Sequence, residues 1–282
     1  KITAKMEAEL GLSSAEAEAK TRWLSSVDAE AVPGSGVSVV EAEAASWIAS
    51  HKEIADMNQY WYSPATISKM VRVIRRHCIG DTGDAKAPLD CAFVSTPSIF
   101  FALEKAERAN SRVLDYDRQL GTEEEGMFFY DFNEPAENLP AEMKGAFRSV
   151  VIDPPFITRD VWEKYAESAR WLLAPGGLII ATTVAENAPM MAELLGVRPN
   201  QFLPSIPNLP YQYAMYTSFD APDLDAVNAE VPVDPAELLR SAQAGYEANK
   251  ARASEAPVRG KGNGAYDFEA MLEAAMKNGA HP

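Results

Sequence analysis

The densest chemistry in the chain is written in Val150-Val151-Ile152-Asp153-Pro154-Pro155-Phe156, an apolar run ending in a carboxylate, two prolines and an aromatic ring. Neither proline has an N–H to donate to a sheet ladder, so a strand must break there with its carbonyls unencumbered. Asp153 and the Pro154 carbonyl then make a pocket of acceptors only. Such a pocket suits a primary amine, whose hydrogens it binds while the nitrogen lone pair faces an electrophile. Phe156 is placed to face the cation that develops. The plain alternative is a strand-ending turn.

Three further exits from apolar runs carry usable groups. Asp115, in Asp115-Tyr116-Asp117, follows Val94 by 21 residues, close to the offset of about 20 at which a ribose-binding acid follows the first strand of a nucleotide fold. Its carboxylate can accept from two vicinal hydroxyls; a solvated turn is the alternative. Asp131-Phe132 offers an acceptor for an adenine amino group and an apolar wall for its ring, though Asp-Phe-Asn is also a common turn. Ser95-Thr96-Pro97-Ser98 stands where a glycine-rich cofactor loop is expected and none is written, which reads equally as an N-capped turn.

These groups need a scaffold, and the periodicity supplies one. Strands are expected at Cys91 to Val94, Arg112 to Leu114, Met127 to Tyr130, Ser149 to Ile152 and Leu178 to Thr183, with helices at Ser98 to Ala109, Arg159 to Leu173 and Glu186 to Leu195. Nearly continuous apolar strands alternating with helices argue for an α/β fold, a parallel sheet covered on both faces. Ligands of such sheets bind beyond the carboxyl ends of the strands, where the four exits lie. Gln201 to Leu203 and Gln212 to Phe219, joined by a proline-rich loop, should close the sheet as an antiparallel pair. Before the sheet, Ser38 caps a helix running to about Asp56, and Ser63-Pro64 opens a second whose apolar stripe is Ile67, Met70, Val71 and Ile74. Its other face, Lys69, Arg72, Arg75 and Arg76, reads as solvated. Gly80 to Pro88 is a polar turn segment.

Composition narrows the function classes. With 26 basic against 41 acidic residues the net charge is −15, so a nucleic-acid-binding face has to be built against the overall field. The two cysteines and three histidines write neither a disulfide framework nor a clustered zinc site, and no metal is called for. No apolar run approaches the ~20 residues of a membrane-spanning helix. The acidic, alanine-rich start is neither a signal nor a transit peptide, so a cytoplasmic location is expected, or an organelle if a leader preceded Lys1. Near the other end Phe268, Met271, Leu272, Ala275 and Met276 form one helical stripe, expected to dock on this chain or a partner protein.

At Asp153-Pro154-Pro155-Phe156 the chain resembles the amino-group methyltransferases with an Asp/Asn-Pro-Pro-Tyr/Phe motif. More narrowly it resembles the lysine methyltransferases of translation elongation factor 1-alpha, once described as adenine-specific methyltransferase-like. The matching segments are Gln59-Tyr60-Trp61-Tyr62-Ser63, Val94-Ser95-Thr96-Pro97-Ser98, Asp115-Tyr116-Asp117-Arg118, Phe129-Tyr130-Asp131-Phe132-Asn133, the Asp-Pro-Pro-Phe exit and Glu193-Leu194-Leu195-Gly196-Val197. They span roughly residues 57 to 220 in order. The resemblance implies a Rossmann-like, seven-stranded class I methyltransferase sheet at 57–220, between a helical arm at 1–56 and an extended or helical arm at 221–282. It implies S-adenosyl-L-methionine as cofactor, held by Ser95, Asp115, Asp131 and Phe132, with Asp153, Pro154 and Phe156 catalytic. Trp61 and Tyr62 are then expected to close over the cofactor or the target lysine, or else to anchor the preface onto the sheet edge. The implied partner is a protein, elongation factor 1-alpha, with a methyltransferase-like structural subunit and a nucleic-acid adenine methyltransferase as alternatives. The family tends to carry basic residues around Asn-Leu where this chain has Pro204-Ser205-Ile206-Pro207-Asn208-Leu209-Pro210.

Overall fold

A computed structural model describes residues 38–79, 89–209 and 211–231. Seven strands, β1 (Leu89–Val94), β2 (Arg112–Asp115), β3 (Met127–Phe129), β4 (Phe147–Ile152), β5 (Leu173–Val184), β6 (Arg198–Pro199) and β7 (Tyr213–Thr217), form one sheet in the order β3-β2-β1-β4-β5-β7-β6. The first five run parallel and β7 is antiparallel to both its neighbours. Alternation along each strand divides the interior. Cys91, Phe93, Val151 and Ile180 point into one apolar core, while Ala92, Val94, Val150, Ile152, Ile179 and Ala181 point into the other. Strands buried on both faces have no polar positions to show, which is why they read as continuous apolar runs.

The first core is covered by α1 (Val39–Ser50), α2 (Pro64–His77) and α3 (Pro97–Phe101), through residues such as Ala44, Ile67, Met70, Ile74 and Phe100. After the one-turn helix α4 (Lys105–Arg108), the second core is covered by α5 (Arg159–Leu172), through Val161, Trp162, Tyr165 and Ala169, and by α6 (Ala188–Leu195). The stripe expected on α2 is buried. Its basic face is not solvated: the Arg75 side chain is 3% exposed and forks onto Glu107 at 2.6 Å, and Arg76 pairs with Asp223 at 2.5 Å. Lys69 donates to the Asp223 carbonyl.

Other boundaries differ from the sequence expectation for local reasons. The first helix ends at Ser50 rather than near Asp56, because the His51 carbonyl is taken by the Trp61 indole N–H and Glu53 Oε1 by the Trp61 backbone N–H. The expected helix Ser98 to Ala109 breaks after Phe101, where Glu107 Oε2 caps the Glu104 N–H and opens α4. Strand β5 begins at Leu173, paired with Phe147, and the Pro175-Gly176-Gly177 segment is an irregularity within it rather than a loop before it. Glu186 belongs to a 3-10 turn ahead of α6. The partner of β7 at the edge is Arg198–Pro199, not Gln201 to Leu203, since the Phe202 N–H bonds to the Leu224 carbonyl instead. The segments before residue 38, Gly80 to Pro88 and the helical stripe expected from Phe268 to Met276 lie outside the described residues. No described helix is long and apolar enough to cross a membrane.

Candidate active site

The strand order reverses direction between β1 and β4, and Val94 there pairs with Ile152 and with Leu114. The next residues on these strands, Ser95, Asp153 and Asp115, therefore leave the sheet side by side at the switch point, where open α/β sheets bind ligands. They open into one cavity of about 670 Å³, closed on its other sides by the segment 55–61 before α2, by Tyr165 of α5, by Ile206 and Leu209 and by Tyr213 of β7.

Ser95 explains the missing glycine. Its φ is 56°, a left-handed conformation that costs an L residue ~1–2 kcal/mol, so the turn usually made by glycine is made here by serine. The turn is held by the Ser95 N–H on the Leu114 carbonyl and by its hydroxyl, 2.7 Å from the Tyr165 hydroxyl. Asp115 closes β2 and its Oδ1 accepts the Asp117 N–H at 2.9 Å. Burial pushes its carboxyl up to about 7, opposed by that backbone bond. Beside it, Asp117 accepts from Gln59 Nε2 at 3.3 Å, which leaves Gln59 Oε1 buried without a partner among the described residues.

Asp153 meets a different set. Its Oδ2 accepts the Tyr62 hydroxyl at 2.5 Å, and that hydroxyl lies 2.6 Å from Thr182 Oγ1. Burial pushes Asp153 to about 7 as well, with both hydroxyls pulling it down. The Asn58 side-chain amide caps the Pro155 carbonyl, so of the two proline carbonyls that one is taken. Phe156 meets Phe132 edge-on at 6.4 Å between ring centres, and Lys164 Nζ sits 5.5 Å over the Phe132 ring.

Of the residues singled out in the sequence, Ser95, Asp115, Phe132, Asp153, Pro154, Phe156 and Trp61 line this cavity. Asp131 does not. Its Oδ1 accepts the N–H and the amide of Asn133, closing a local turn, and so is spent on its own loop. Tyr62 is buried behind Asp153 rather than lining the cavity, and Trp61 is pinned through its indole N–H and edge-on against Trp47 at 5.0 Å. Sequence reasoning missed Tyr165 and Tyr213, which read as core positions of a helix and a strand. It also gave Gln59 and Asn58 no role.

A parallel sheet of this order with an antiparallel seventh strand, a buried acid ending β2 and Asp-Pro-Pro-Phe leaving β4 define a class I S-adenosylmethionine-dependent methyltransferase. A family model described as "Probable N6-adenine methyltransferase" matches residues 53–221, and the chain belongs to that family. It is similar to EEF1A lysine methyltransferase 1 of Mus musculus, 31% identical over 169 residues that cover 58% of this chain and 74% of that one. The Gallus gallus protein of the same name is 30% identical over 178 residues, covering 61% and 78%. A protein-lysine N-methyltransferase of Saccharomyces cerevisiae is 27% identical, covering 60% and 73%.

The cofactor of this class is S-adenosylmethionine, and the cavity suits it. Asp115 presents a buried carboxyl to hydroxyls, Gln59 Oε1 is a buried acceptor with no partner among the described residues, and Tyr116 and Phe132 offer apolar faces. Aspartates at 56, 115, 117 and 153 line the cavity and, among the described residues, no lysine, arginine or histidine does, so a cationic sulfonium enters a field of its opposite sign.

Proposed function

We propose that this chain methylates the side-chain amine of a lysine in a protein, that elongation factor 1-alpha is the substrate, and that it acts in the cytoplasm. The cavity wall carries the reading: four aspartates and, among the described residues, no cationic side chain. A nucleic acid brings phosphates that need lysine or arginine beside the target base, and a net charge of −15 opposes it again. A lysine side chain brings the complementary charge. The curated relatives carry protein-lysine methyltransferase names, which supports the same choice.

When bound, S-adenosylmethionine supplies an electrophilic methyl on a sulfonium. This chain's part is to align and to deprotonate. A free lysine has a pKa of about 10.4; desolvation against Phe156, Tyr213 and Pro154 lowers it toward the neutral amine that can attack. Asp153 and the Pro154 carbonyl accept its hydrogens, hold the lone pair in line and then face the ammonium that forms. Asp115 holds the ribose hydroxyls and Ser95 shapes the turn beneath. The loop from Pro204 is tied to the preface by the Ser63 N–H on the Ser205 carbonyl and by Asn208 on Glu53, so its Ile206 and Leu209 form an apolar wall at the substrate's side.

The description of the matched family names adenine, and an acceptor pair that binds a lysine amine also binds an exocyclic amine. Labelled methyl transfer into separated protein, RNA and DNA fractions decides between them. Label in protein alone is expected; label in nucleic acid alone overturns the lysine reading.

A further inference from the structure

Asp153 is held by more than its own strand. A phenol has one hydrogen, and Tyr62 spends it on Asp153 Oδ2 at 2.5 Å, so across the 2.6 Å contact Thr182 is the donor and Tyr62 the acceptor. The run Thr182 to Tyr62 to Asp153 joins three elements: β5, the segment entering α2, and the exit of β4. Thr182 is 1% exposed and Tyr62 2%, so water does not compete for these bonds. Tyr62 lines no part of the cavity and reaches it only through Asp153.

We propose that Tyr62 is a positioning residue for methyl transfer, fixing the Asp153 carboxyl in one orientation, with Thr182 supporting it from behind. With Tyr62 bound to Oδ2, the acceptor capacity that remains on the carboxyl is held in one direction for the incoming amine. This inference rests on the amine-methylating role above. Among the described residues the groups facing Asp153 are Tyr62 from the preface, Thr182 from β5 and Tyr213 from β7, and none of those lining the cavity is cationic. Burial pushes Asp153 to about 7 with the Tyr62 and Thr182 hydroxyls opposing it, so loss of the phenol moves it higher and shifts it further toward the protonated form. A protonated carboxyl presents a neutral group to an amine that must become a cation. Tyr62 itself, raised well above 10 by burial and then by Asp153, remains a donor throughout.

The test is Tyr62→Phe in the full chain, which keeps the ring and removes the hydroxyl. Cofactor affinity by calorimetry should stay within about threefold, kcat at pH 7 should fall at least about tenfold, and the acid limb of the kcat profile should move upward so that raising the pH restores part of the rate. In an Asp153→Asn background the same change should add no further loss. Wild-type kcat with an unmoved acid limb, or the same fold-loss in both backgrounds, overturns the proposal. A readout free of turnover is the carboxyl-carbon NMR titration of Asp153, identified by its absence in Asp153→Asn, which should shift upward in Tyr62→Phe. Methyl found only in nucleic acid defeats the lysine reading and leaves this titration standing; an unmoved titration defeats the positioning role whatever the substrate. If Tyr62→Phe does not fold, Thr182→Val should shift the titration upward by a smaller amount, and no shift overturns the proposal.

Discussion

Replacing Asp115 by asparagine separates what this residue does for the ligand from what it costs the fold. In the free protein burial raises its carboxyl from 3.8 to about 7, so the folded state holds the proton more tightly than the unfolded one. The sign follows: the contribution to stability is complete below about pH 4, declines as pH rises, and is lost above about 7. A pKa difference of about 3, at about 1.4 kcal/mol each, makes the ionised Asp115 cost about 4 kcal/mol at pH 8. Asparagine has no such slope. Asp115→Asn should therefore have nearly wild-type stability at pH 4 and be more stable at pH 8, by up to about 4 kcal/mol less the cost of a poorer acceptor for the Asp117 N–H. The same change removes charge-assisted bonds to the ribose hydroxyls worth about 1.5–3 kcal/mol, so cofactor affinity should drop at least about tenfold. Urea unfolding of the free protein at pH 4 and pH 8, beside calorimetric titration with S-adenosylmethionine, reads both effects. A stability difference independent of pH, or an unchanged Kd, refutes the assignment.

Asp153→Asn should leave cofactor affinity within a few-fold while turnover falls more than about tenfold, as initial rates with saturating cofactor will show. Arg75→Ala strands the Glu107 carboxylate, 11% exposed, beneath α2, and should lower unfolding free energy by about 3 kcal/mol in denaturant titrations. Ser95→Gly relieves a left-handed φ worth about 1 kcal/mol but deletes the hydroxyl on Tyr165, so its stability should stay close to wild type. Ser95→Ala loses the hydroxyl and keeps the strain, and should melt below both in a thermal scan. S-adenosylmethionine should bind more weakly as pH falls through about 7, where Asp115 takes up a proton, and calorimetry between pH 6 and 8 measures the slope.

The parallel sheet was legible because β1, β4 and the later half of β5 are buried on both faces and so advertise themselves as unbroken apolar runs. The exits Ser95, Asp115 and Asp153 followed, since polar residues directly after such runs have few other reasons to be there. Asp131 looked the same in sequence but its Oδ1 is taken by Asn133, a contact two residues away that spacing alone does not rank against a ligand. Tyr165 and Tyr213 were hidden because a tyrosine on a buried face has the period of the core; only the turn at Ser95 gives Tyr165 polar work, and only the cavity gives Tyr213 a place in the site. The end of α1 was illegible because a tryptophan ten residues downstream sets it. The basic face of α2 was misjudged because its partners, Glu107 and Asp223, are distant in sequence.

The most direct measurement is peptide mapping by mass spectrometry after incubating purified elongation factor 1-alpha with this protein and S-adenosylmethionine, with the Asp153→Asn variant in parallel. Methyl groups on a lysine side chain in the wild-type reaction, absent with the variant, are the expected result. An unmodified factor, or modification that persists with Asp153→Asn, contradicts lysine methylation at this site.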